Sequence, residues 1–397
     1  MNTRRHDIDA LRAIAFALLI LYHWCMLYVT DWDWHIKSSY QAEWLQWPML
    51  FVNRWRMDLI FLISGMAAAF MLKPDRTVAF VRARNLRLLL PLAFGILVVV
   101  PIQPYVQGVS NGVVTPGFLA FLGEYFSGRS WPQGAFDGWQ HGYTWNHLWY
   151  LAYLWVYTLA LAVLARPLES SVALRLRARL TGLRGAWLMV LPALPLLLYT
   201  LTLQTRFPPE GEFTEDWYRH AVYFTVFLYG YLIARDAGFW AEALRLRHAA
   251  LAGALVLGLA YVGLVAVLPD DVTYWQQAGV WILRNLYVWI MLLAILGWSH
   301  ALLNRPFRWL PWANEAVYPW YMLHQSLIVL AAYWLVDRKL GAALEATMVL
   351  LITVIGCWLI FAVVRRVGFL RPLFGMKPLP AAIAAKPYPI SGEQESC

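Results

Sequence analysis

Ten stretches of this chain are each long and apolar enough to cross a bilayer, and no soluble core could absorb them all. A spanning helix needs roughly 20 mostly apolar residues. By that measure candidates lie near 10–30, 50–72, 88–106, 144–165, 186–204, 218–234, 249–268, 278–299, 315–336 and 343–364. The chain is 61% apolar and 14% charged, against roughly 45–50% and about 25% in soluble domains. That leaves too little polar surface to cover 23 Trp, 21 Tyr and 19 Phe. Disorder, collagen and a disulfide scaffold are excluded as well, because apolar content is high, glycine follows no period and there are only 3 Cys. The expected fold is all-α: a polytopic membrane protein of about ten transmembrane helices.

The placement of positive charge orients those helices. The connections from odd to even spans, with the adjoining helix starts, hold nine positives: Lys37, Arg54, Arg56, Arg129, Arg206, Arg219, Arg284, Arg338 and Lys339. The other 23 of the 32 lie at the termini and in the alternate connections. Cytoplasmic loops carry the excess, so both termini are expected on the cytoplasmic side. The net charge of +9 then reads as a topology signal, and the expected partner is the bilayer, not nucleic acid. Residues 1–370 are expected to form one membrane domain and 371–397, rich in proline, a poorly ordered cytoplasmic tail. The long stretch 107–143, with its mildly apolar piece from Gly117 to Phe126, has the length of a functional loop.

Titratable side chains inside spans are costly and mark candidate sites. Arg12 and His23, in DIDALRAIAFALLILYHW, are eleven residues apart, which puts them on nearly one helix face about 16–17 Å apart. Arg54, Arg56 and Asp58 begin the second apolar run; an arginine there could clamp an anion or simply pair with Asp58. Of the arginines before the third span, Arg84 and Arg87 share a face and suit a phosphate, with Arg82 beside them. Lipid headgroups would ask for the same arrangement. His147 and Trp149 open the fourth span, and Tyr318, Tyr321 and His324 lie in the ninth. Snorkelling arginines and structural histidines are the plain alternative. GxxxxGK[ST], HExxH, Gly-x-Ser-x-Gly and CxxC are all missing, and no metal site is expected. A histidine base with separate cationic sites suits group transfer, although a transporter or flippase could use the same buried residues as a pathway.

The sequence resembles the membrane acyltransferase-3 family over essentially its whole length. The resemblance rests on Arg12 and His23 within D-x-D-x-L-R-A, on Arg84 to Arg87, on the segment Phe61 to Gly65, on His147 with Trp149, and on Tyr321 with His324. RWRMDLIFLISGM, HLWYLAYLW and AVYPWYMLHQ look most like the branch named glucan biosynthesis protein C. One departure is Val317, where many members carry a serine. The resemblance implies an O-acyltransferase of the bacterial inner membrane. Its donor substrate would be cytoplasmic acyl-CoA (succinyl-CoA or acetyl-CoA), its acceptor a periplasmic glucan or other carbohydrate, and it would hold no permanently bound cofactor. It implies acyl-CoA phosphates on Arg82, Arg84 and Arg87. Catalysis would fall to His23 with Arg12, His147, Tyr321 and His324, and substrate contacts to Arg54, Arg56, Asp58 and Trp149.

Overall fold

A computed structural model describes residues 5–208, 212–269 and 271–378; residues 379–397 of the expected tail lie outside the described residues. Among the described residues the chain is helical, with no strand. Its first part forms α1 (His6–Cys25), α2 (Gln46–Met71), α3 (Thr77–Phe94), α4 (Ile102–Ser110) and α5 (Phe118–Tyr125). Then come α6 (Trp149–Leu164), α7 (Ser171–Thr181), α8 (Ala186–Val190), α9 (Ala193–Leu203) and α10 (Trp217–Ile233). The last part holds α11 (Ala237–Val267), α12 (Tyr274–Leu303), α13 (Leu310–Leu335), α14 (Ala342–Arg366) and the short α15 (Leu370–Leu373).

All ten expected stretches fall on helical segments, but the spans are fewer by length and apolarity. Six helices are long and apolar enough to cross a membrane, or up to seven if a bent pair counts as one span. The physical reasons differ from helix to helix. The bent pair, Glu43–Met71 with Pro74–Val99, turns by 87°, because Leu72 and Lys73 are extended before Pro74 and a residue preceding proline disfavours the helical region. Helix α10 has only 17 residues. Helix α13 is long, with 26 residues, but carries Glu315, His324, Gln325 and Ser326. It can do so because α1, α4 and α14 pack around it and shield those groups from lipid.

Two local features build the site. First, the expected span 88–106 is not one rod. Pro91 lies inside α3, a π-helical turn follows at Gly95–Val99, and α4 starts after Pro101. Prolines and π-turns free carbonyls from the helical ladder, and here the Val99 carbonyl accepts from Ser326 Oγ at 2.6 Å. Second, α2 and α10 cross at backbone contact: a Cβ at Gly65 would lie 1.8 Å from the Phe227 carbonyl oxygen, and one at Gly230 would lie 2.0 Å from that of Leu62. Only glycine on both helices permits this approach.

Within the long loop, the piece from Gly117 to Phe126 contains α5, which buries Phe121 and Tyr125. At the other end the packed body continues past residue 370. Phe374 and Met376 are buried, and Arg371 Nη2 donates to Glu315 Oε1 at 2.8 Å.

Candidate functional site

Helix α1 presents Arg12, Phe16, Leu19 and His23 at successive steps of four, three and four residues, so they form one stripe. Three cavities follow that stripe. The first, of about 390 Å³, is basic: Arg12, Arg84, Arg87, Arg371 and Lys377 line it with only Asp9 and Glu315 in opposition. The second is a neck of about 30 Å³ walled by Phe16, Leu19, His23, Arg56, His147, Trp149, Tyr150 and Tyr321, with room for one or two waters. The third, of about 1130 Å³, is aromatic and polar, with Trp32, Trp34, Trp139, Trp145 and Trp149 among Asn53, Asp137 and Gln140. The neck shares Phe16, Tyr150 and Tyr321 with the basic cavity, and His23, Arg56, His147 and Trp149 with the aromatic one. The three are therefore consecutive.

At the neck, His23 Nδ1 and His324 Nε2 are 2.8 Å apart, and the two rings are parallel to within 1°. The protons can be placed by what each partner can accept. His324 Nδ1 faces the carbonyl of Tyr321 at 2.7 Å and that of Trp320 at 3.1 Å. A carbonyl only accepts, so Nδ1 carries the hydrogen. In a neutral His324 its Nε2 is then the acceptor, and His23 Nδ1 must be the donor. Nε2 of a neutral His23 is left with a lone pair.

His147 is held differently. Its Nε2 donates to the Met322 carbonyl at 3.0 Å, and its Nδ1 accepts from Gln103 Nε2 at 3.3 Å, so both ring nitrogens are engaged. Tyr321 donates its hydroxyl to the His147 carbonyl at 2.7 Å, tying α13 to the start of α6. Ser64 Oγ donates to the Ile60 carbonyl, so the 2.5 Å contact with Tyr150 is a bond from the tyrosine hydroxyl.

Gln103 is the centre of a buried network that the sequence reading did not single out. Its amide nitrogen donates to His147 and to Ser326 Oγ at 2.7 Å, and its Oε1 accepts from Asn146 and from Gln325, each at 3.0 Å. Gln325 Nε2 also donates to His35 Nε2 at 2.9 Å, and His35 Nδ1 donates to Gln107 Oε1 at 2.9 Å. Burial, outweighing the nearby Asp137 carboxylate and the Gln107 hydrogen bond, holds His35 below the ordinary histidine range, in keeping with this neutral role. Asn146 takes a left-handed φ of 42°, which asparagine tolerates better than most residues. Thr144 Oγ1 secures it at 2.8 Å. Amides inside an apolar run are the signal that points to Gln103, since a buried amide must be satisfied.

The arginines separate into two groups. Arg56 is buried, its guanidinium lies 3.5 Å from the Tyr22 ring centroid, and its Nε and Nη1 find no hydrogen-bond partner among the described residues. Arg84 is buried with Nε and Nη2 likewise unpartnered, and it lines the basic cavity with Arg87. Arg12 donates to Asn314 Oδ1 at 2.7 Å and to Asp9 at 3.4 Å. The structure does not bring Arg82, Arg54 or Asp58 to any of the three cavities. Arg82 is exposed, Arg54 lies 5.6 Å from the Tyr261 ring centroid, and Asp58 is buried with Oδ1 unpartnered. The cause is spacing: residues two apart on a helix point in nearly opposite directions, so Arg56 and Arg84 face inward while Arg54 and Arg82 turn away.

Residues 5–362 match the acyltransferase domain family Acyl_transf_3. No curated protein and no solved structure matches the chain. A match running from the start of α1 almost to the end of α14 leaves no part of the neck outside it, and the chain belongs to this family of acyltransferases.

Proposed function

We propose that the protein is an integral-membrane O-acyltransferase that takes an acyl group from acyl-CoA in the basic cavity and places it on a carbohydrate hydroxyl in the aromatic cavity. The observation that supports this most directly is the position of His23. Its ring lines a constriction shared by an arginine-rich chamber and one lined with tryptophans and amides. Coenzyme A carries phosphates, which guanidinium groups bind well, and flat aromatic faces beside amide and carboxylate groups suit sugars. The positive-inside pattern supports ten crossings with both termini and the basic cavity cytoplasmic. The acceptor chamber then opens on the periplasmic side of a bacterial inner membrane. The resemblance to the glucan biosynthesis protein C branch supports a succinyl or acetyl donor and a periplasmic glucan acceptor.

In this reading Arg84 and Arg87 bind the donor's phosphates, and Arg12, fixed by Asp9 and Asn314, holds its polar arm. The thioester reaches the neck between Phe16 and Tyr321. His23 Nε2 takes the proton of the acceptor hydroxyl as that oxygen bonds to the thioester carbonyl carbon. The oxyanion faces Arg56, whose charge has no carboxylate partner within ion-pair distance among the described residues. The carbon–sulfur bond then breaks, and the CoA sulfur takes the proton back from His23. Ester and free CoA are the products. General base catalysis of this kind contributes about 10²–10⁴ in rate, and an oxyanion partner about 10²–10³. His324 acts through His23 by fixing its tautomer, and His147 and Tyr321 hold the frame.

The test is purified protein with labelled succinyl-CoA or acetyl-CoA and a glucan. Ester that forms with the parent and disappears with His23→Ala supports the reading. A folded His23→Ala variant with full activity overturns the assignment of the base. Labelled solute crossing vesicles without ester would point to a transporter instead.

A further inference from the structure

The family match stops at residue 362, yet four residues beyond it, Arg371, Gly375, Met376 and Lys377, line the basic cavity. The segment that carries them is tied down at several points. Glu315, on α13, receives Arg365 Nε and Arg371 Nη2, each at 2.8 Å. Arg371 uses two further nitrogens on its own neighbourhood, Nη1 to the Arg365 carbonyl at 2.8 Å and Nε to the Lys377 carbonyl at 2.7 Å. Phe374 packs edge to face on Phe94 at the end of α3, with ring centroids 5.2 Å apart. Gly375 takes a φ of +67°, and a Cβ there would lie 2.4 Å from the Tyr318 ring. The segment therefore joins α14, α13 and α3, the helix that bears Arg84 and Arg87.

We infer that residues 367–377 form a strap that completes the phosphate site of the donor cavity, with Lys377 as a direct phosphate contact and Arg371 as the residue that positions it. The charges favour this division of roles. Arg371 is tied to the Glu315 carboxylate, which it shares with Arg365, whereas Lys377 is exposed and forms no ion pair among the described residues. With Arg84 and Arg87 it makes a third cation for the phosphates, approached from a different segment of a chamber that Arg12 and Arg371 also line. Beside them Arg84 Nε and Nη2, Tyr318 Oη and Asn314 Nδ2 are buried polar groups with no hydrogen-bond partner among the described residues. So many unpartnered groups around one cavity point to a polyanionic ligand. The inference rests on the donor reading above, and it adds a segment that the family match does not cover.

The test is direct binding of CoA to the full chain in detergent, compared with 3′-dephospho-CoA and repeated across a range of salt concentrations. Lys377→Ala should weaken CoA binding about three- to tenfold, as expected for one rim charge on a phosphate, and should flatten the salt dependence. Gly375→Ala should weaken it further by displacing the strap from Tyr318. Ligand-free thermal midpoints of both variants report on folding, and Lys377→Arg should restore affinity. If Lys377→Ala binds CoA with the parent's affinity and salt dependence, the strap has no phosphate role. If the parent itself binds no CoA, the donor reading fails and the strap's role fails with it.

Discussion

His23 Nδ1 lies 2.8 Å from His324 Nε2, and the far nitrogen of His324 is held by the Tyr321 carbonyl at 2.7 Å. A backbone carbonyl on α13 thus sets the tautomer of a side chain on α1. This makes the second histidine an orienting group whose loss should be felt in rate more than in binding. His23→Ala is expected to lower turnover by about 10²–10⁴. His324→Phe should lower it by about 10² or more, the scale seen when a tautomer-fixing partner is lost. In both cases the affinity for acyl-CoA should be unchanged, and labelled transfer with a separate CoA-binding measurement separates the two quantities.

The arginines of α3 make a sharper comparison, because two of them lie two residues apart and only one faces the basic cavity. Arg84→Gln should raise KM for acyl-CoA about 10- to 100-fold with little change in kcat, given the strength of a charge-assisted hydrogen bond. Arg82→Gln should stay within about twofold of the parent. Equal effects at the two positions would mean that charge near the membrane surface matters more than the cavity.

Gln103 satisfies four side chains at once, and apolar replacement strands their donors and acceptors. Gln103→Leu is expected to destabilise the protein by about 2–4 kcal/mol, since each unsatisfied buried group costs about 1–3 kcal/mol, and to lower kcat through His147. A thermal midpoint in detergent measures the first effect and labelled transfer the second. Gln103→Glu, which keeps the acceptor but loses the two donors to His147 and Ser326, should fall between the parent and the leucine variant.

The crossing of α2 and α10 has no slack. Gly65→Ala places a methyl against the Phe227 carbonyl and should cost about 1–3 kcal/mol by overpacking, with lower yield and thermal midpoint. Ala67→Gly, on the same helix beside the basic cavity, adds no atoms and should cost only about 1 kcal/mol in helix propensity.

Much of the site was legible because charge is rare in this chain. Arg12, His23, His147 and His324 each stand out in an apolar run, and the eleven-residue spacing of the first two already placed them on one face. The i, i+3 spacing of Arg84 and Arg87 likewise predicted a shared face. Arg54 and Arg82 carry the same charge as their neighbours Arg56 and Arg84, and the two-residue offset that turns them away from the cavities is readable in the sequence as well. The amides were harder. Gln103 and Gln107 share α4, but Gln325 comes from α13, 222 residues beyond Gln103, and only the π-turn after α3 and the packing of α4 on α13 bring them together. The number of spans was harder still, because apolarity measures exposure to lipid and α13 is polar where its neighbours shield it.

The narrow neck has a consequence for the cell that lies outside catalysis. Two water-accessible chambers meeting end to end through a bilayer would ordinarily conduct ions and dissipate the proton gradient. Here the junction holds about 30 Å³, its walls include Phe16, Leu19, Met57 and Ile60, and the guanidinium of Arg56 repels approaching cations. On the proposed reading such a junction acts as an electrical insulator, letting reactants touch across it at one carbonyl carbon while the membrane keeps its voltage.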